Sequence, residues 1–424
     1  MVQHKHFKSR VRVRMAKTGE SYTAARRQLL AARSADTDAR GPAPAGTQYD
    51  AALWQHVLAE SGVRNPATGA PFSEAMLAGL AGGIGFMVAT FSYETVTTAT
   101  VVLRAHPEPY TERLLERSST PIERLQTGGA KAAQQSLDAA LDAGRSVVVR
   151  VTHGALPWID SDAVEYMDSI DVAVTGRDSS GYLIIGGGPH PGEETADDAG
   201  PRHALPAELA AARAARKSDR HWSAWVAASN ETNETNESNG SNGSKGSGPA
   251  VEALVGSVRA AVAETTGRLL GTLALDGIPA SWMPKFGVGG MRTWAALLRD
   301  ERSKKGWPAV FDDPERLRTG LEMVQGFLAG SRWGGAGGLR GQYAAFLTEA
   351  AELPGLEPLA GATLAYRDLA TRWDSLADVV DPGINEGDRV RHFAELAERL
   401  EELAEREDAA ARTLAEALGA SGDR

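Results

Sequence analysis

Residues 72–93 read FSEAMLAGLAGGIGFMVATFSY, and the fold turns on this run. No charged residue stands from Ala75 to Tyr93, a length that invites a membrane-spanning helix of about 20 residues. Gly79, Gly82, Gly83 and Gly85 break its centre, however, and few of its residues are strongly apolar. Ser73 is a helix N-cap type, with a hydroxyl able to accept from a first-turn N–H. The Gly82-Gly83 pair is a natural helix stop. The run therefore reads as a short helix from Ser73 to the glycine pair, then a buried strand from Phe86 to Tyr93.

Working outward, Asp50 to Ser61 has Leu53, Trp54, Val57 and Leu58 on one helical face, and Ala130 to Ala143 is a second helix ended by Gly144. Strands follow at Ser146 to Thr152, Ile170 to Thr175 and Tyr182 to Ile185, the last two joined by the turn Asp178-Ser179-Ser180-Gly181. A helix from Ala207 to Lys217 completes this half. Asn230 to Gly248 (NETNETNESNGSNGSKGSG) is a low-complexity spacer that cannot bury enough apolar surface to order itself. Its sequons at Asn230, Asn233, Asn236, Asn239 and Asn242 are a by-product of polar composition. From Ala250 onward the pattern is helical. It ends in Phe393 to Leu418, where Phe393, Leu396, Leu400, Leu403, Ala410, Leu414 and Leu418 recur at helical spacing. That segment reads as a packed amphipathic helix, with a homodimer contact as the lesser option because Glu407 interrupts the seam. The divisions expected are a basic arm and connector at 1–45, a domain at 46–229, the spacer at 230–249 and a helical domain at 250–424.

The 424 residues contain no cysteine. This excludes a disulfide framework, any zinc site with a cysteine ligand, an iron–sulfur cluster and thiol catalysis. The hydrophobic fraction of 42% and charged fraction of 24% are those of an ordinary soluble globular protein. Charge is unevenly spread: residues 1–33 hold nine Lys or Arg against Glu20 alone, a net +8, which leaves −18 on the other 391 residues. A basic arm on an acidic body points to an anionic partner or to docking on its own surface. No apolar run of signal-peptide length follows the basic start, so a cytoplasmic protein is the default, with an organellar transit peptide also compatible.

The phosphate-loop string, HExxH and GxSxG are all absent, and the nine histidines are scattered, so neither a metal nor another cofactor is expected. The most specific internal signal is a repeat. Gly287-Val288-Gly289-Gly290-Met291-Arg292 is echoed by Gly335-Ala336-Gly337-Gly338-Leu339-Arg340, and each copy leads into an aromatic and two alanines. A glycine turn at a helix N-terminus exposes N–H groups, and an adjacent guanidinium adds charge. Gly289, Gly290, Arg292, Gly337, Gly338 and Arg340 are thus candidates for an anion cradle, against the plainer reading of tight turns and a structural Arg ion pair. In the arm, Arg10, Arg12 and Arg14 alternate with period two, and a helix from Tyr22 to Ala32 adds Arg26 and Arg27. A basic hairpin of this kind suits phosphate contacts on nucleic acid or a ribosome, and a surface-docked tail accounts for it equally well.

Two sets of residues carry a family resemblance. Phe72 to Leu80 with Gly82 to Phe86, after a helix containing Ala51-Ala52-Leu53, resembles the N-terminal domain of the butirosin biosynthesis protein H family. Gly287 to Asp300, Arg340 to Ala351 and Tyr366 to Leu376 with Trp373 resemble the helical domain of unknown function that usually follows it. The resemblance implies an α+β papain-like N-terminal domain and a mostly α-helical C-terminal domain. It also implies an acyltransferase ancestry, in which an acyl group passes from a carrier-protein thioester to an amine. Such chemistry uses a cysteine at the first helix start, a histidine on a strand and an acidic group on the next strand.

This sequence departs at each point. Tyr49 or Asp50 stands at the helix start, Asp171 on the strand, and Gly186 after Ile184-Ile185. The resemblance then implies a degenerate triad and a binding or scaffold protein of specialised metabolism. The rivals are an acyltransferase working with an acyl carrier protein and relocated catalysis, with His153 near Asp160 and Asp162 as base, and a nucleic-acid binder acting through the arm.

Overall fold

A computed structural model of the chain describes residues 48–92, 97–107, 109–159, 168–187, 202–215, 220–227, 248–331 and 333–420. The arm with Arg10, Arg12, Arg14, Arg26 and Arg27, the spacer up to residue 247, and Asp160 and Asp162 lie outside them.

The chain order begins with α1 (Tyr49–Glu60), α2 (Glu74–Leu80), β1 (Ile84–Ser92) and β2 (Thr97–Arg104). It continues with α3 (Tyr110–Arg117), β3 (Ile122–Leu125), α4 (Ala130–Asp142), β4 (Val147–Thr152), β5 (Ser169–Asp178), β6 (Gly181–Ile185), β7 (Arg202–Ala204), α5 (Pro206–Ala214) and β8 (Ser223–Val226). The opening run folds as its pattern implies. Ser73 Oγ accepts from the Met76 N–H at 2.9 Å, α2 stops, and β1 leaves the glycine turn.

Six strands form an antiparallel sheet in the order β3-β8-β4-β5-β6-β7. Period-two alternation divides its side chains between two cores. Val147, Val149, Val151, Val172 and Val174 pack on one face with Leu137 of α4 and Leu209 of α5. Val148, Ala173 and Ala224 face the other way, into the core shared with α1 and α2. Strand β8 occupies an interior position with only four residues, SAWV, too short and too uniformly buried to show an alternation in sequence.

The second half is helical: α6 (Pro249–Leu270), α7 (Gly287–Arg299), α8 (Trp307–Val310), α9 (Pro314–Ala329), α10 (Arg340–Ala350), α11 (Thr363–Val379) and α12 (Arg389–Ala420). Between them sits the β1–β2 hairpin, which belongs by sequence to the first half. Phe86 of β1 stacks on Trp294 of α7 and Trp373 of α11, each at 6.1 Å. One continuous core runs from Ala51 to Leu414 through both halves. The apolar stripe of α12 is part of it, since Phe393, Leu396, Leu400, Leu403 and Leu414 are buried against α6 and α7. The seam considered for a homodimer is thus covered within the chain. Among the described residues, no helix is long and apolar enough to cross a membrane and no group of three or more His, Asp or Glu is placed to hold a metal.

Candidate functional site

The N-terminus of α1 is held from two sides. Gln48, its N-cap, accepts from the Ala51 N–H at 2.7 Å through Oε1 and donates its own N–H to Glu74 Oε1 at 2.6 Å, tying α1 to α2. Tyr49, the next residue, reaches the sheet. Its hydroxyl donates to the Asp171 carbonyl at 2.7 Å and accepts from the Gly187 N–H at 2.9 Å. Gly186 completes the contact. It sits at φ +89°, and a Cβ there would lie 2.6 Å from Tyr49 Oη, so only glycine fits. Tyr49, Asp171 and Gly186, named from three distant parts of the sequence, therefore meet at one point.

Asp50 is not part of this group, because successive helical residues point about 100° apart. Its buried carboxylate forms an ion pair with Arg104, whose guanidinium lies 4.5 Å from the ring centres of both Tyr110 and Trp333. Nearby Glu74 also accepts from Gln342 Nε2 of α10 at 2.5 Å, and burial pushes its carboxyl above the usual carboxylate range. Gln48, Tyr110 and Gln342 line a void with room for about one water molecule.

The Asp171 carboxylate is also engaged. Arg150, directly opposite on β4, grips it with Nε at 2.7 Å and Nη2 at 3.0 Å and covers the Trp222 ring at 4.5 Å. A carboxylate held by a bidentate guanidinium has both oxygens committed as acceptors. A phenol with both hydroxyl functions given to backbone groups is likewise a strut and has no free lone pair or proton aimed at a substrate. Arg150 was not named from sequence. Its role depends on the β4–β5 register, which places Arg150 opposite Asp171.

The fallback base has other neighbours. His153 is buried in a 3-10 turn after β4, its N–H bonded to the Asp168 carbonyl at 3.0 Å, and it packs by α5. The glycine turn at 82–85 is enclosed by Ala105, Thr265, Arg268 and Tyr343.

The two copies of the glycine repeat adopt different structures. Gly289 and Gly290 lie within the first turn of α7, and Arg292 is exposed beside Asp408. Gly337 and Gly338 are left-handed at φ +61° and +58°, and Cβ atoms there would approach Ala370 and Trp373 to 2.8 and 2.7 Å. Arg340 is fully buried and bound to Glu407, the residue that interrupted the apolar seam of α12. This corrects the anion-cradle expectation for Gly337, Gly338 and Arg340: the guanidinium already has an internal carboxylate, and the glycines serve close packing.

Fold and site together define an α+β body in which a helix N-terminus is seated on an antiparallel sheet, closed over by a helical half. Residues 52–186 match the family model described as Butirosin biosynthesis protein H, N-terminal. Residues 245–414 match the model described as Domain of unknown function (DUF4872). The first half of the chain is thus similar to the butirosin biosynthesis protein H N-terminal family, which is acyltransferase-related, and the second half to the helical domain of unknown function. A comparison with curated proteins finds no match.

Proposed function

We propose that this protein is a non-catalytic relative of butirosin-type acyltransferases, acting as a binding or scaffold protein. The observation that carries this reading is the Tyr49 hydroxyl, bonded at once to Asp171 O and Gly187 N where the family's chemistry calls for a thiol. A thiolate would attack a thioester and leave its base and orienting group within reach. Here the helix start carries a phenol, the strand an Asp locked to Arg150, and the following turn a glycine. The test is turnover: the full chain incubated with acyl-pantetheine thioesters and an amine acceptor neither hydrolyses the thioester nor forms amide above the uncatalysed rate. Amide formation proportional to protein concentration would refute the reading and favour an acyltransferase fed by a carrier-protein thioester.

The net +8 of residues 1–33 favours an anionic partner for the arm, a nucleic acid, a ribosome or an acidic carrier protein. Binding of RNA or DNA through it weakens with salt by about one log unit per log unit for each phosphate neutralised and is lost on deleting residues 1–33. Binding that survives the deletion would remove the arm from this role.

A further inference from the structure

We propose that Arg213, Arg220 and His221 form a binding site for a phosphate-type oxyanion. Arg213 lies in the last turn of α5, which packs on the sheet through Leu209 and Ala212. The residue is only 4% exposed and His221 only 2%. One side-chain and one main-chain contact lock them side by side: Arg213 Nη2 donates to the His221 carbonyl at 3.2 Å, and the His221 N–H donates to the Arg213 carbonyl at 3.2 Å. His221 holds a left-handed backbone, φ +56°, a conformation that costs energy for a residue with a Cβ.

Both arginines lie close enough to His221 for their charges to act on it. Three side-chain atoms of this group, Arg213 Nε, Arg220 Nε and His221 Nδ1, are buried and have no hydrogen-bond partner among the described residues. No carboxylate among those residues pairs with Arg213. Among the described residues, the one ionisable group that favours its charge is the Tyr182 phenol, which is itself bonded to Asp138. Burial lowers the Arg213 guanidinium to about 10, and the charges of Arg213 and Arg220 add to burial in holding His221 down. A buried cation lacking a counter-charge is among the costliest features a fold can retain, and the negative end of the α5 dipole offsets only a part of it. Arg340 shows the alternative, since its equally buried guanidinium has Glu407. A tetrahedral oxyanion supplies what Arg213 lacks among the described residues: charge, and several acceptors for donors fixed in a fork.

The site is independent of the Tyr49 contact and of any acyl chemistry. The test is thermal unfolding and calorimetric titration of the full chain with inorganic phosphate, and separately with a phosphate monoester such as glycerol phosphate, with sodium chloride holding ionic strength constant. Phosphate raises the midpoint of the wild type as its concentration rises, and Arg220→Gln weakens the apparent affinity about tenfold with an unchanged phosphate-free midpoint. Arg213→Met removes the phosphate response while its phosphate-free midpoint stays at or above that of the wild type; should that variant not fold, Arg220→Gln carries the test. Tighter binding of the ester than of the free ion assigns a phosphorylated metabolite, and the reverse order assigns the ion. The absence of any phosphate response in the wild type, or the same response in Arg220→Gln as in the wild type, overturns the proposal.

Discussion

Replacing Glu407 with alanine is expected to destabilise the protein by about 3–5 kcal/mol, the cost of leaving one partner of a buried ion pair alone. The side chains of Arg340 and Glu407 are both 0% exposed. Arg340 Nε lies 3.1 and 3.2 Å from the two carboxylate oxygens and Nη2 lies 2.9 Å from Oε1. The other donor contacts go to the carbonyls of Gly338 at 2.6 Å, Gly85 at 3.0 Å and Leu103 at 3.1 Å. One guanidinium thus joins α12 to both strands of the hairpin. Without the carboxylate its charge has only carbonyl dipoles and the Trp373 ring, 5.2 Å away, for company. Arg340→Met alone strands the Glu407 charge instead, with a loss of similar size. The double change Arg340→Met, Glu407→Leu removes both charges, and its remaining cost is that of carbonyls deprived of a donor, about 1–3 kcal/mol each. The double variant is therefore expected to be more stable than Arg340→Met, which loses the same carbonyl contacts and strands the Glu407 charge as well. Urea denaturation of the full chain, followed by circular dichroism and tryptophan fluorescence, measures this where the two transitions coincide. A loss below about 1 kcal/mol for Glu407→Ala, or a double variant no more stable than Arg340→Met, would refute the reasoning.

Four further outcomes are expected. Tyr49→Phe deletes both hydroxyl contacts between α1 and the sheet and should cost about 1–3 kcal/mol in the same assay; an unchanged midpoint would mean that the strut carries no load. Gly338→Ala, at φ +58° with Trp373 2.7 Å from the added carbon, should cost about 2–4 kcal/mol. Gly289→Ala, in open space within α7, should gain up to about 1 kcal/mol, and equal thermal shifts for the two would contradict the different roles assigned to the repeat. Burial, with Arg104 and Arg268 adding, depresses the His106 imidazole from 6.5 to about 4. A depressed base contributes stability that is present above its unfolded value and lost as the pH falls, so His106→Gln should flatten the decline in melting temperature between pH 6.5 and about 4. An unchanged slope would place the acid sensitivity elsewhere.

Long periodic elements were legible in the sequence because one face of each is buried against something extensive. Helix α1, the Ser73-capped α2 and strands β4 to β6 fall within a few residues of their expected limits. Strands β2, β3 and β8 were not legible. The partners of β3 and β8 lie far along the chain, and β8 has no exposed residue to create an alternation. The helical half reads correctly as helices, yet its intimacy with the first half depends on the hairpin between α6, α7 and α9, which no local pattern reveals. Glu407 shows the same limit: the sequence contains only a gap in an apolar seam, and its meaning is an arginine 67 residues away. At the site, resemblance located Tyr49, Asp171 and Gly186. Asp50 was grouped with them by adjacency and is separated by helical rotation, while Arg150, Arg104 and Glu74 entered only with register and packing.

Intact-mass analysis of the full chain after exposure to an excess of acyl-pantetheine thioester addresses the central claim most directly. An unmodified mass is expected, because the hydroxyl at the start of α1 is occupied by Asp171 O and Gly187 N. A single stoichiometric acyl adduct, mapped by peptide analysis to Tyr49 or to any other side chain, would show that a working nucleophile survives and would contradict the account.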